Sequence, residues 1–416
     1  MINWLKIGSR NLVKNRRRSL ITMLAIALGF AAVNLFGGFQ EYMYRGNREA
    51  AIYGRCQGHL AIFKKGFLEK GQLDPARYML TPSEIKAITE ICEGDPRVVL
   101  VTPQLTISGI VTNGYASTIF VAQGIAPSAI DVFLSTSKYL KKLGVHQEGR
   151  KLQDDKIYGV AVANGLARLL DLKPGSFAVA MTTTVDGQMN ALDMEVFTLF
   201  QVGIQEMNDK VLQVPFRFAQ SLYDTEGADR ITVLLDDLQY TESFRDWLRS
   251  AISKQGLDLE VKTWNELSQW YREVKDMFDV IFIFLFIIVF VIVVMSVTNT
   301  MSMAVIERTR EIGTLRALGL KRKGVLLLFG VESCLLGVLG TVLGFFLYLL
   351  GWGWVKVSRP MWTPPRISYR IPIRIEIVPE YIIYSFLSLL LLCLIASILP
   401  ARRASRQNVV DALGHV

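Results

Sequence analysis

Four long windows of this sequence contain no charged side chain, and they restrict the fold more than any other feature. They cover residues 20–39, 280–306, 333–355 and 381–401. Each window provides the ~20 residues that an α-helix needs to cross the ~30 Å hydrocarbon core of a bilayer. Only a helix satisfies all of its backbone hydrogen bonds within a lipid-facing segment. The windows therefore predict four transmembrane helices.

The first window could also be the apolar core of a signal peptide, because basic residues precede it. Its apolar stretch is longer than the ~7–15 residues typical of a signal peptide, and no cleavage site of small residues follows closely. We therefore expect this window to remain in the chain as its first transmembrane helix.

Lysine and arginine residues cluster on one side of the predicted helices. Because cytoplasmic loops carry an excess of these residues, both termini and the loop between helices 2 and 3 are predicted to be cytoplasmic. This pattern accounts for most of the net charge of +9 and gives no reason to expect a nucleic-acid partner. The external loop after helix 3 is an exception, with Lys356, Arg359, Arg366, Arg370 and Arg374. The cytoplasmic clusters are Lys6, Arg10, Lys14, Arg16, Arg17 and Arg18, then Arg308, Arg310, Arg316, Lys321, Arg322 and Lys323, and finally Arg402, Arg403 and Arg406.

The long segment between helices 1 and 2 mixes the patterns of strands and helices. Strand pairs are predicted at 106–112 with 117–121 and at 177–184 with 195–204, around Asn113-Gly114 and Asp186-Gly187. A helix is predicted after Thr81, because Thr81-Pro82-Ser83-Glu84 supplies an N-cap, a proline at N1 and a capping-box glutamate. The fold class is therefore a polytopic α-helical membrane protein with four transmembrane helices plus a large mixed α/β extracytoplasmic domain between helices 1 and 2.

A charged segment, residues 307–323, separates the second window from the third. Along a helix, Glu307 can pair with Arg310, and Arg308 can pair with Glu311. A narrow apolar edge accompanies these charges, formed by Ile312, Leu315 and Leu318. The pattern fits an amphipathic helix lying in the lipid headgroups, and it fits equally well a helix that docks into a cytoplasmic motor protein.

The residues of this segment are similar to a known family signature. Residues 307–319 read Glu-Arg-x-Arg-Glu-Ile-Gly-x-Leu-Arg-Ala-x-Gly, which resembles the signature of the MacB/FtsX-type, or type VII, ABC transporter permeases. Residues 399–406 and Val410-Asp411-Ala412-Leu413 look like the tail of that family, although Val409 stands where the family often has proline. The layout of one span, a large outer domain and three spans also resembles the family.

Three further stretches look like one branch of the family, which includes the lipoprotein-releasing (LolC/LolE-like) permeases. They are residues 11–18, Gly58-His59-Leu60 and Gly165-Leu166-Ala167. This resemblance implies the inner membrane of a bacterium, contact with membrane lipid and an amphiphilic or lipid-linked cargo. It leaves open an additional partner in the periplasm.

The resemblance implies that two permease subunits, either two copies of the chain or the chain and a paralogue, work with two copies of a cytoplasmic ATPase. ATP and Mg would bind to the ATPase, and this chain would bind no cofactor directly. The charged segment would be a coupling helix that sits in a groove of the ATPase. Its ATPase-coupling residues are then predicted to be Glu307, Arg308, Arg310, Glu311, Gly313, Leu315, Arg316 and Gly319.

These arguments predict a linear order of segments. No glycine or proline interrupts residues 264–306, so a helix from Glu266 to Ile306 would form a stalk about 60 Å long at ~1.5 Å per residue. The predicted order is a cytoplasmic N-terminal amphipathic segment (1–18), TM1 (19–39), an extracytoplasmic MacB-like periplasmic core domain (40–272), a stalk with TM2 (273–306), a coupling helix (307–323), TM3 (324–355), a short external loop (356–379), TM4 (380–401) and a cytoplasmic tail (402–416).

No motif for catalysis or metal binding is found in the sequence. A P-loop requires G-x-x-x-x-G-K-[ST], and the nearest string, Gly144 to Lys151, has arginine in place of the lysine and lacks the hydroxyl residue. The histidines His59, His146 and His415 lack the spacing of metal ligands. The chain is therefore predicted not to be an enzyme.

Cysteines and small or polar residues in the spans leave alternatives open. Cys56 and Cys92 would lie outside the membrane, where an oxidising compartment permits a disulfide. Gly340-xxx-Gly344 and Ala25-xxx-Gly29 permit close helix contact, either inside one subunit or between two permeases. Asn34 and Glu332 are polar at membrane depth, so each is expected to have a structural hydrogen bond or a functional role.

Two functions fit the sequence and its family resemblance. The leading one is an ABC permease working by mechanotransmission, in which ATP hydrolysis by the partner moves the outer domain to extract or export lipid-linked cargo such as lipoproteins. The alternative is an FtsX-like relay that transports nothing and activates periplasmic cell-wall hydrolases. A receptor or adhesion protein would leave the 307–319 signature unexplained.

Overall fold

The computed structural model describes residues 2–71, 73–137, 139–140, 147–203, 207–363 and 370–406. The chain divides into two compact units. The helical unit comprises Met1–Tyr44, Val274–Met361 and Pro372–Val416, and the α/β unit comprises Arg45–Glu273 and Trp362–Ile371.

The described helices comprise four long apolar elements and several shorter ones, most of which lie between the first and second long helices. In chain order they are α1 (Ile2–Lys14), α2 (Arg16–Glu49, continued by a π-helical turn at Ala50–Gly54), α3 (Phe67–Lys70), α4 (Pro75–Tyr78), α5 (Pro82–Glu93), α6 (Pro127–Thr136), α7 (Asn164–Leu169), α8 (Phe216–Tyr223), α9 (Thr241–Lys254), α10 (Trp264–Leu267), α11 (Gln269–Glu307), α12 (Thr309–Ala317), α13 (Arg322–Ser358) and α14 (Pro379–Arg406). A 3₁₀ turn lies at Leu238–Tyr240.

The strands fall mostly in the α/β unit. They are β1 (Leu60–Lys64), β2 (Val98–Thr112), β3 (Ser117–Gly124), β4 (Gln147–Gly149), β5 (Gly159–Ala163), β6 (Phe177–Thr183), β7 (Met189–Phe200), β8 (Val211–Val214), β9 (Arg230–Leu235), β10 (Leu259–Thr263), β11 (Met361–Trp362) and β12 (Ile371–Pro372).

Four helices, α2, α11, α13 and α14, are long and apolar enough to cross a membrane, as predicted. Each helix extends beyond its charge-free window, because the charged residues on either side of the window are also helical. The break before α11 lies at Ser268, whose backbone (φ −90°, ψ 73°) leaves the helical region. The helix therefore begins at Gln269, three residues after the expected Glu266.

The predicted glycine contacts lie inside the helical unit. An added Cβ on Gly344 of α13 would meet the Ala27 carbonyl oxygen of α2 at 2.8 Å, and one on Gly340 would meet Ile26 at the same distance. Gly29 of α2 lies similarly against Val289 of α11. Close backbone approach at these glycines is thus used for packing within the chain.

Polar contacts also join these helices. Thr22 and Thr300 share a hydrogen bond of 2.6 Å between their hydroxyl oxygens, which links α2 with α11. Asn34 Nδ2 donates to Ser385 Oγ at 2.9 Å and to the Phe30 carbonyl at 2.8 Å, which links α2 with α14. The structural role expected for Asn34 is therefore found.

The α/β unit is organised around β2, a strand of 15 residues that belongs to two layers. Its first half pairs with β9 in the sheet order β10-β1-β9-β2. Helices α5 and α9 cover this sheet, and Ile88, Phe244 and Leu248 are fully buried against it. In both helices the buried side chains recur every four residues and therefore lie on the face that packs on the sheet, as Ile88 and Cys92 do in α5 and Phe244, Leu248 and Ile252 do in α9.

The second half of β2 closes a six-stranded barrel. Strands follow the order β2-β3-β8-β5-β7-β6, and β6 returns to pair with β2 through Ile110 with Met181 and Thr112 with Val179. Inward side chains such as Val111, Phe120 and Val196 fill its interior. Closure leaves no free edge among these six strands.

Several local predictions are confirmed. Strands β2 and β3 form a hairpin in which Thr112 pairs with Ser117, and Gly114 has φ +90°. Strands β6 and β7 pair from Thr183 with Met189, so β7 starts earlier than the predicted residue 195. Thr81 and Glu84 form the capping box of α5. Ile204, at the predicted end of the second hairpin, lies outside the described residues.

Candidate functional site

The charged segment forms the short helix α12 between two membrane helices. Helix α11 ends at Glu307, because Arg308 adopts a non-helical conformation (φ −115°, ψ 17°) that redirects the chain. Gly319 ends the segment at φ +97°, with its N–H bonded to the Arg316 carbonyl and the Leu320 N–H bonded to the Leu315 carbonyl. This is a Schellman ending, which favours glycine. Helix α12, Thr309–Ala317, is thus shorter than the predicted range 307–323.

Arg308 anchors this helix through buried charge. Its guanidinium donates to Glu332 Oε2 of α13 at 3.2 Å and to Glu311 Oε2 at 3.1 Å. The side chains of Arg308 and Glu332 are only 9% and 4% exposed. Charges are costly at such burial unless they are paired, so this ion pair fixes the start of α12 against α13.

The N-terminal residues hold the other side of the segment. Arg18 pairs with Glu307 at 2.9 Å, and Asn15 Nδ2 donates to the same carboxylate at 3.3 Å. Lys14 lies 3.6 Å from Glu311 on the exposed surface. The hydrogen bond from Arg308, with Lys14 nearby, holds the pKa of Glu311 below its usual value. The carboxylates of Glu307 and Glu311 are thus both paired with basic side chains of the same chain.

One face of α12 stays exposed. Arg310 and Thr314 are exposed on it, and Leu315 and Leu318 are 40% and 81% exposed. Ile312, by contrast, is buried in the apolar core of the helical unit. The apolar edge expected from sequence is therefore divided, with one residue facing the core and two leucines left on the surface.

The predicted site residues consequently have different positions. Arg310, Glu311, Leu315 and Gly319 are exposed, Arg316 is half-buried, and Gly313 is buried. Glu307 is also exposed and pairs with Arg18 of α2, whereas Arg308 is buried in its pair with Glu332 of α13. The partners Asn15, Arg18 and Glu332 were not predicted for this site. A signal for Glu332 existed, since a carboxylate in an apolar span requires a partner.

Two buried groups of the α/β unit were also singled out in the sequence. His59 is fully buried, its Nδ1 accepts from the Leu235 N–H at 3.0 Å, and burial lowers its pKa to about 4. Cys56 and Cys92 are free thiols in different apolar clusters, and burial raises the pKa of each to about 12. The disulfide that the sequence left open is not formed.

Over the described ranges, no group of three or more His, Cys, Asp or Glu side chains is placed to hold a metal ion. His146, His415, Arg366 and the tail motif Val410 to Leu413 lie outside those ranges. The string Gly144 to Lys151 lies partly outside, and its residues Gln147–Gly149 form β4.

Comparison with known families covers both units. Residues 19–251, more than half of the chain, match the MacB-like periplasmic core domain. Residues 283–409 match the FtsX-like permease C-terminal domain, which includes α12 and the three helices α11, α13 and α14.

Individual relatives align over most of the chain at low identity. An uncharacterized ABC transporter permease of Methanocaldococcus jannaschii is 23% identical over 97% of this chain and 96% of its own length. The macrolide export ATP-binding/permease protein MacB of Bdellovibrio bacteriovorus is 21% identical over 99% of this chain and 62% of its own length. The lipoprotein-releasing system transmembrane protein LolE of Haemophilus influenzae is 22% identical over 77% of this chain and 78% of its own length.

The four apolar helices, the α/β unit between the first two of them and the short helix between the second and third have the arrangement that these two family domains describe. The chain belongs to the MacB/FtsX family of ABC transporter permeases, the type VII class.

Proposed function

We propose that this chain is the transmembrane subunit of an ABC transporter that works by mechanotransmission. A separate cytoplasmic ATPase, present in two copies, would bind ATP and Mg and would hold α12 in a groove. A second permease, either another copy or a paralogue, would complete the assembly. The termini would be cytoplasmic, in the inner membrane of a bacterium.

One observation supports this proposal most directly. Helix α12 is fixed at its start by the buried pair of Arg308 and Glu332, whereas Arg310, Leu315 and Leu318 remain exposed. Exposed leucines beside a charge are typical of a helix that docks into a partner, because the apolar side chains provide affinity and the charge fixes the register. The name of the MacB relative, which joins ATP-binding and permease parts, supports a motor partner.

The ion pairs suggest how movement of α12 would reach the membrane helices. A displacement of the helix start would act on α13 through Arg308 and Glu332 and on α2 through Glu307 and Arg18. Helix α11 continues directly into the segment. Three membrane helices are therefore attached to the element that the ATPase would move.

We further propose an amphiphilic or lipid-linked cargo, such as a lipoprotein. The name of the LolE relative supports this cargo class. The FtsX-like match at 283–409 supports the alternative, a relay that activates a cell-wall hydrolase in the periplasm. Both use the same motor contact, so they are distinguished by what is bound on the outer side.

The motor contact is tested by purifying the full chain from its native membrane and identifying co-purified proteins by mass spectrometry. The variant Leu318→Glu places a charge on the exposed face of α12 and should remove the ATPase. The matched control Leu169→Glu changes an exposed leucine of the α/β unit (57% exposed) and should retain it. An ATPase that stays bound to Leu318→Glu as to the unchanged chain, or its absence after crosslinking, contradicts the proposal.

The same purification separates the two functions. Lipoproteins or lipids enriched with the complex, and released on addition of ATP, support extraction. A hydrolase or its activator in their place supports the relay. Either result is interpreted only when the ATPase co-purifies with the chain. The control Leu169→Glu shows whether it does.

A further inference from the structure

A shallow, open apolar groove runs along α13 beside the coupling segment. It has a volume of about 520 Å³ and is lined almost entirely by apolar atoms. Six lining residues come from one face of α13, and one comes from α14. They are Lys323, Leu326, Leu327, Gly330, Val331, Cys334 and Leu394.

Gly330 lines the middle of the groove. Among the described residues, nothing lies within 4 Å of the position that a Cβ would occupy there, so the missing side chain leaves open space. Leu327 is 53% exposed beside it. On the far side, Gly8 of α1 packs against Val331 and Leu335, which places α1 along one edge of this face.

The length of the groove matches one leaflet of a bilayer. From Lys323 to Cys334 the helix rises about 17 Å at ~1.5 Å per residue, and half of a ~30 Å hydrocarbon core is about 15 Å. The groove begins where the charge-rich segment ends and continues into the apolar span. Since the predicted TM3 begins at residue 324, the groove would lie in the half of this span next to the coupling segment, where acyl chains are the solvent.

Positive charge lies at only one end of the groove. Lys323 lines it, and the two preceding residues, Lys321 and Arg322, are also exposed. None of the seven lining residues is acidic, and Glu332, the nearest carboxylate along α13, is turned into its buried pair with Arg308. An apolar channel with a cationic end is complementary to a lipid that has an acyl chain and an anionic headgroup.

We infer that this groove is a binding site for one anionic phospholipid, with an acyl chain along Leu326, Gly330 and Cys334 and its phosphate at Lys323. A transmembrane helix of a second chain is a poorer occupant. The apolar face of such a helix would offer no anion to the exposed cations Lys321, Arg322 and Lys323.

The site also lies next to the proposed motor contact. Gly319 ends the coupling segment, and Lys321, Arg322 and Lys323 follow within four residues. A headgroup bound there would restrict the end of α12 that is not held by Arg308. This consequence rests on the proposed function, whereas lipid binding does not.

Binding is tested on the full-length chain in lipid nanodiscs with photoactivatable phospholipids that carry a diazirine in the acyl chain. Phosphatidylglycerol should label residues 326–334 more strongly than phosphatidylcholine does. Lys323→Gln should reduce this preference about fivefold, the equivalent of the ~1 kcal/mol that one basic residue contributes near an anionic surface. Gly330→Leu fills the open space and should abolish labelling at this position.

The matched control is Gly353→Leu on the same helix. Gly353 likewise has no described residue within 4 Å of a Cβ position, and it is not among the groove residues. Its labelling at 326–334 should equal that of the unchanged chain, and thermal unfolding should be alike in all variants. Equal labelling by the two lipids, or persistence in Gly330→Leu, would show ordinary annular lipid and overturn the site. Crosslinks between chains through Leu327→Cys would identify a second copy as the occupant and also overturn it.

The effect of the bound lipid on the motor contact is measured as the ATPase activity of the assembled complex in nanodiscs with and without phosphatidylglycerol. We expect stimulation that Lys323→Gln and Gly330→Leu lose and Gly353→Leu keeps. If the photolabelling is as predicted but the ATPase activity does not change with phosphatidylglycerol, the regulatory consequence is overturned and the lipid-binding site is supported. If no ATPase assembles, the proposed function fails, and labelling still tests the site.

Discussion

At the scale of the residue, Arg308 and Glu332 depend on each other. Each is a charge at low exposure, and each would lose most of its electrostatic compensation if the other were removed. Breaking a buried pair by removing one partner typically costs 3–5 kcal/mol, whereas replacing both partners with apolar groups is often neutral. The pair therefore predicts strongly non-additive effects.

Glu332→Ala should lower the free energy of unfolding by about 3 kcal/mol, because the guanidinium of Arg308 remains buried with only the more exposed Glu311 as partner. The double variant Arg308→Met with Glu332→Leu should recover most of this loss. Unfolding in a titration with sodium dodecyl sulfate, followed by circular dichroism, measures both. Losses that simply add would show that the two side chains do not interact.

His59 predicts a dependence of stability on pH. Its pKa falls from 6.5 to about 4 on burial, so between these values the unfolded chain binds more protons than the folded chain. Stability from this residue is present above about pH 6.5 and is lost as the pH falls toward 4. From about pH 7.5 to about pH 5 the free energy of unfolding should decrease by about 2 kcal/mol.

Urea unfolding of the full chain, followed by tryptophan fluorescence, measures this effect at the two pH values. Trp264 is a suitable probe, since its backbone N–H donates to the backbone carbonyl of His59 at 3.0 Å. The control His59→Gln should reduce the pH dependence by the same 2 kcal/mol. An unchanged dependence in this variant would assign the effect to other groups.

At the scale of the element, glycines set the distance between α2 and α13. A Cβ on Gly344 would lie 2.8 Å from the Ala27 carbonyl oxygen and 2.9 Å from the Phe30 Cβ. These neighbouring atoms belong to the backbone and to a Cβ, so no rotation of a side chain can move them away. The two helices must separate if a side chain is introduced.

Gly344→Val should therefore lower the free energy of unfolding by about 3 kcal/mol, at the upper end of the ordinary cost of overpacking. The control Gly330→Ala adds a methyl group to the same helix where no described residue lies within 4 Å, and it should not destabilise, because alanine has the higher helix propensity. Unfolding in sodium dodecyl sulfate compares the two. No loss of stability in Gly344→Val would show that contact with α2 does not set the distance between the helices.

At the scale of the whole molecule, the proposed topology places the β2–β3 turn and helix α12 on opposite sides of a membrane. Tyr115, at the β2–β3 turn, and Leu318, at the end of α12, are 99% and 81% exposed. Cys56, Cys92 and Cys393 are buried, but Cys334 of α13 is only half-buried, so the labelling of the unchanged chain is subtracted as background. A cysteine at either exposed position would report its compartment.

We expect Tyr115→Cys to react with a membrane-impermeant maleimide in spheroplasts and Leu318→Cys to react only after lysis. The reason is that the excess of arginine and lysine in the segment after helix 2 predicts a cytoplasmic position for it. Labelling is read as a mass shift of the purified chain. Reaction of Leu318→Cys in intact spheroplasts would reverse the proposed topology.

Much of the fold could be predicted from local sequence. The spans follow from length and absence of charge, the β2–β3 hairpin follows from Asn113-Gly114, and the start of α5 follows from Thr81 and Glu84. These features depend on residues a few positions apart. Positions of element ends were less accurate, because the break at Ser268 and the bend at Arg308 have no strong sequence signal.

The sequence alone determined the four membrane helices, the α/β domain between the first two and the charged segment with its family signature. Tertiary structure decided how the charges of that segment pair, since Arg308 is buried against Glu332 and Glu307, although exposed, meets Arg18. It also decided that β2 and β6 close a barrel. Hydrophobic periodicity records which face of an element is buried, whereas these pairings depend on residues distant in the chain that packing brings together.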